Sequence, residues 1–176
     1  MSFMFKPLAY DDPRAINKIA LPEETVGQIT AGNEETVETI ATYCKSAFDK
    51  IGKFTLAIDG YVSAQFEDLV LPVADRLSRG GRACRLIDMK GLYKSQEEIE
   101  TLTSDSLPLN YDDDPVLLFG RLYRGKIDDF IDTEKVRKTL EASQGELVII
   151  YGLGSASDTL RSYVDAIAYI DVTPKV

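Results

Sequence analysis

The chain has 176 residues, 44% of them hydrophobic, which suits one domain with a single sizeable core. Its net charge of −9, with no long basic run, argues against nucleic acid and anionic membrane surfaces as partners. It has no histidine and only two cysteines, Cys44 and Cys84, so histidine acid–base chemistry, Ser-His-Asp triads and a structural zinc site are excluded.

The beginning, MSFMFKPLAYDDP, lacks an apolar segment of signal-peptide length, and no run of about 18 apolar residues occurs. A cytoplasmic location is expected, with both cysteines as buried thiols. Residues 1–32, broken by Pro7, Pro13 and Pro22, read as an irregular N-terminal arm, and 33–176 as the folded domain. Asn33 is the expected N-cap of a helix over 34–50, with Glu34 and Glu35 in the first turn and Val37, Ile40, Ala41, Cys44, Ala47 and Phe48 at helical spacing. FTLAI at 54–58 reads as a buried strand and DGYVSAQ as the loop after it. Phe66, Leu69, Val70, Val73 and Leu77 predict a helix over 66–78 that contains the helix-kinking Pro72 and stops at Gly80-Gly81.

ACRLIDM predicts a second strand, and Ser95-Gln-Glu-Glu opens a helix to about Ser104. Residues 105–115 are a loop, Asp128 to Ala142 a helix, and ELVIIYG the clearest strand. GLGSAS then leads into a helix around 156–163 and a last strand, AIAYIDV. Strands alternating with helices predict an α/β three-layer, doubly wound, mainly parallel sheet. FTLAI, RLIDM, VIIYG and AIAYI should be neighbouring parallel strands, with DGYVSAQ, DMKGLY and GLGSAS along one ligand-binding edge.

IDGYVSAQFEDL, Ile58 to Leu69, resembles the start of uridine kinase-like P-loop proteins, so the implied fold is of P-loop kinase type. Against the pattern G-x-x-x-x-G-K-[ST], Gly60 matches the first glycine, Gln65 replaces the second, Phe66 the lysine and Glu67 the Ser or Thr. Phenylalanine cannot neutralise β and γ phosphates, and Glu67 with Asp59 adds negative charge beside them. No cofactor and no catalytic or metal-binding residue is therefore expected. With the opening YDDPRAINK, the features IDGY, DDDPVLLFG, DDFID and YGLGSA resemble something narrower. They are similar to the N-terminal kinase-like domain preceding the cupin domain in some bacterial class I mannose-6-phosphate isomerases. That resemblance implies a non-catalytic accessory or ligand-sensing domain, a fragment of a larger chain. It implies a cupin domain or a second copy as partner, and a small phosphorylated molecule as the ligand sensed. The family's isomerase site needs histidines that this chain does not have.

The competing readings are a divergent small-molecule kinase with Asp59 or Asp88 as base, and a purely structural or oligomerisation domain. Gly60 and Gly152 serve a phosphate loop or are simply turn glycines. Asp112 to Asp114 form a cation site or a solvated loop. Asp88 is a base or a strand-end acid. Tyr61, Tyr93 and Tyr151 stack on a ligand or pack in the core. Lys90 and Arg124 clamp an anion or sit on the surface. An apolar patch left for a partner is expected near Ile167, Tyr169 and Val172.

Overall fold

The computed structural model describes residues 21–106 and 122–171. The chain falls into two units, Met1–Ala31 and Gly32–Val176. The described part of the first holds one short helix, α1 (Glu23–Val26).

The second unit begins with α2 (Asn33–Ile51). Its N-cap is Gly32 rather than Asn33, at φ 101°, and Thr36 donates its hydroxyl back to the Gly32 carbonyl at 2.7 Å. Strand β1 (Phe54–Gly60) follows, so Asp59 and Gly60 belong to the sheet and not to the loop expected there. Helix α3 (Phe66–Arg79) contains Pro72 and ends in a Schellman motif. Gly81 there sits at φ 75°, and the Arg82 amide bonds the Leu77 carbonyl at 2.9 Å. Strand β2 (Arg85–Asp88) is shorter than expected, because Asp88 turns the chain into a 3-10 turn at Met89–Gly91. Helix α4 (Gln96–Thr103) opens on a capping box between Ser95 and Glu98.

The helix expected over 128–142 is interrupted. A 3-10 turn at Ile127–Phe130 gives way to extended Ile131, which bridges Tyr93 antiparallel, and α5 (Thr133–Glu141) starts afresh. Strand β3 (Leu147–Tyr151) and strand β4 (Ala166–Ile170) are as expected in kind. The helix expected around 156–163 is instead a run of turns closing in a 3-10 turn at Arg161–Tyr163.

The four strands form one sheet in the order β2-β3-β1-β4, and every pairing is parallel. Alternate strand residues feed two cores, as the pleat dictates. Leu56, Ile58, Leu147 and Ile149 pack with Ala41 and Cys44 of α2 and Val70, Val73 and Leu77 of α3. Ala57, Ile87, Val148 and Ile150 pack on the opposite face with Val136 and Leu140 of α5, Leu92, Leu160 and Val164. The fold is thus a three-layer α/β sheet buried on both faces, which is why β1 and β3 read as unbroken apolar runs. At the β4 edge, Ala166, Ala168 and Ile170 join the first core, while Ile167 (44%) and Tyr169 (64%) stay exposed. Val172, expected beside them, lies outside the described residues.

Candidate functional site

After β1 the chain departs across one face through α3, and after β3 it departs across the other through 152–165 to reach β4. Neighbouring strands whose connections leave in opposite directions open a crevice at their carboxyl ends. A cleft of about 530 Å³ lies there, lined by Val62 and Ala64 to Asp68 after β1, Asp88 to Lys90 and Tyr93 after β2, and Tyr151 to Leu153 at the end of β3. A second cavity, of about 420 Å³, opens beside Thr55, Val148 and Asp165 at the amino-terminal edge, away from those diverging loops.

Asp59, a candidate base from the sequence, is buried and already engaged. Its carboxylate accepts from the amides of Gly60 at 2.7 Å, Gly154 at 3.1 Å and Ala156 at 2.9 Å. It fastens the segment after β3 to β1. Asp128 fastens the same segment further along, accepting from the Thr159 amide and hydroxyl, each at 2.7 Å. Burial pulls the Asp128 carboxyl upward, but these hydrogen bonds outweigh it and hold the group below the usual carboxylate range. The two acids tie down the Gly154, Ala156 and Thr159 amides, while the Ser157, Leu160, Arg161 and Tyr163 amides bond the carbonyl three residues back, so the segment runs as turns. The hydroxyls of Ser155 and Ser157 on it are buried with no hydrogen-bond partner among the described residues.

Gly60 is kept by packing. A Cβ there would meet the Ile170 carbonyl oxygen at 2.7 Å and a Phe66 ring carbon at 3.3 Å. Gly152 sits at φ 117° with Met89 Cβ 3.0 Å from where a Cβ would stand, so no other residue fits that turn. Tyr61 and Gln65 are exposed, and Gln65 heads α3 without a side-chain cap. Phe66 is half-buried, packed on the α2–α3 core and among the residues lining the cleft. Glu67 is exposed beside it. No residue of the loop 61–65 has positive φ, so the loop forms none of the αR–αL nests whose amides cradle anions.

Asp88 closes the 3-10 turn, accepting from the Lys90 amide at 2.8 Å, with the Lys90 Nζ 3.7 Å away. Tyr93, given in the sequence either to a ligand or to the core, is half-buried and donates its hydroxyl to the Leu153 carbonyl at 2.5 Å. Burial, then the charges of Asp59 and Asp88, push its phenol pKa up. Burial, then Asp88 and Glu67, do the same to Tyr151. The structure therefore brings Gln65, Phe66, Glu67, Asp88 and Gly152 to one cleft and leaves Tyr61 and Arg124 off it, with Asp59 behind its wall. Asp114 and the rest of the 112–114 run lie outside the described residues. Among the described residues no three or more Asp, Glu or Cys side chains are grouped to hold a metal. Asp68, Met89 and Asp128 were not singled out as site residues in the sequence. Only the DDFID run gave any signal for Asp128, since contacts across the sheet leave no local pattern.

No curated protein matches the chain. Among solved structures, one described as a fructose transport system kinase from Silicibacter sp. TM1040 is 16% identical with a TM-score of 0.49. The match covers 76% of this chain and 74% of that one. Residues 32–176 match a protein family, and the chain belongs to it: Domain of unknown function (DUF8485).

Proposed function

We propose that this domain works by binding rather than turnover, as an accessory or ligand-sensing module. The observation that carries the reading is the head of α3, where a phosphate loop needs a cation and a magnesium ligand. Phe66 and Glu67 stand there instead, and the loop before them offers no nest. Asp59 is held by three backbone amides, which leaves a kinase reading only Asp88 as a base. The association with a sugar-phosphate isomerase rests on the sequence resemblance, and a partner or second copy is supported by the exposed Ile167 and Tyr169. Calorimetry of the chain with Mg-ATP is expected to show nothing tighter than millimolar. A micromolar, magnesium-dependent dissociation constant, or phosphoryl transfer to a small acceptor, overturns the reading.

A further inference from the structure

The walls of the cleft at the carboxyl edge state what it accepts. Phe66, Tyr93 and Tyr151 supply aromatic surface, with buried Met89 behind them. Glu67, Asp68 and Asp88 supply negative charge, and the one lining cation among the described residues, Lys90, pairs with Asp88 at 3.7 Å with 81% of its side chain in solvent. We propose that the cleft takes a positively charged organic ligand, an ammonium or guanidinium group on a compact apolar body, in preference to a phosphorylated one. This rests on the binding reading above and names its ligand class.

Three features favour a cation. Neutral phenol and phenyl faces attract cations through their negative π surface, and quaternary ammonium groups are held in such settings. The negative field of Asp59, Asp88 and Glu67, which with burial raises the phenol pKa of the cleft tyrosines, acts on a bound cation in the favourable sense. The carboxylates also set the sign of the local potential.

Two features work against the alternatives. A phosphate at the head of α3 would be repelled by Glu67 and Asp68, which already complement the helix dipole in its first turn. A metal ion would need a group of three carboxylate or thiolate donors, which the described residues do not assemble. The cleft is also preformed. Tyr93 is tied to Leu153, and Gly152 is wedged on Met89, so little ordering is left for a ligand to induce.

The test is a titration of the ¹⁵N-labelled chain with two probes of similar size, benzyltrimethylammonium and benzylphosphonate. The ammonium probe is expected to shift the amides of Glu67, Asp88, Tyr151 and Leu153 saturably, while benzylphosphonate leaves them in place. Glu67→Gln combined with Asp88→Asn should weaken the ammonium probe roughly tenfold, the scale of two partly screened charges. Unchanged amide shifts away from the cleft verify that this variant is folded. Equal or tighter binding of benzylphosphonate at these residues overturns the inference. So does the absence of a saturable shift with the ammonium probe up to tens of millimolar, or indifference to the double substitution. Each of these outcomes leaves the non-catalytic reading standing, which only Mg-ATP binding or phosphoryl transfer removes.

Discussion

Asp59, next to last in β1, turns its carboxylate into three backbone amides, two of them from the segment after β3. Removing it strands the buried Gly154 amide and the half-buried Ala156 amide. Asp59→Ala is therefore expected to cost about 1–3 kcal/mol, and Asp59→Asn less because one carbonyl oxygen still accepts. Urea unfolding monitored by circular dichroism checks this, and an Asp59→Ala variant as stable as the parent shows that the amides find other partners. The sequence displays Asp59 and Gly60 as a strand-end Asp-Gly and leaves two readings of the pair. Two of the acid's three amide partners lie nearly a hundred positions away, and the contact that demands glycine comes from Ile170. Neither is visible to local pattern. The replacements at Gln65, Phe66 and Glu67, by contrast, were legible directly, because a charge or its absence is a property of the residue itself.

At the scale of elements, α5 shows what periodicity alone cannot resolve. Phe130, Ile131, Val136 and Leu140 suggest one helix from Asp128. Ile131 is instead drawn into its bridge with Tyr93, and the Asp132 carboxylate caps a new start by accepting from the Glu134 and Lys135 amides, both at 3.0 Å. Asp132→Ala should cost about 1 kcal/mol of thermal stability, the usual worth of such a cap. A melting temperature unchanged from the parent would show that α5 starts elsewhere. Beyond the cap, the Arg137 guanidinium bonds Glu134 at 2.7 Å and holds its carboxyl at about 2, against 4.5 unperturbed. The folded chain binds fewer protons than the unfolded one between those values. Stability from this pair is thus complete above about pH 4.5 and disappears as pH falls towards 2. Melting curves of the parent and Glu134→Gln should converge over that interval, and a constant difference down to pH 2 would refute the linkage. The strands were legible because both sheet faces are covered, which turns each inner strand into a plain apolar run. The segment 156–163 was misread because its amides mostly bond three residues back, in turns anchored at Ala156 and Thr159 by Asp59 and Asp128, acids remote in sequence.

Taken whole, the described strands form a parallel sheet in which, of consecutive described strands, only β2 and β3 are also paired. Alternating strands and helices made this architecture legible, and the right-handed crossover rule placed the candidate loops on one edge. The cleft's ligand preference was not legible, because it emerges only when the ends of β1, β2 and β3 converge. The strand order has a consequence for how the chain comes off the ribosome. The innermost strands are β3 and β1, yet β1 acquires its first hydrogen-bonded neighbour only when Leu147 emerges, and its second only with Ala166. Until then Leu56, Ile58 and the apolar faces of α2 and α3 have no sheet to rest on. The nascent chain therefore carries exposed apolar surface until Leu147 has emerged, a natural client for a holding chaperone. Folding then has to close long loops before any inner pair forms, so it should be slow relative to helical domains of the same length.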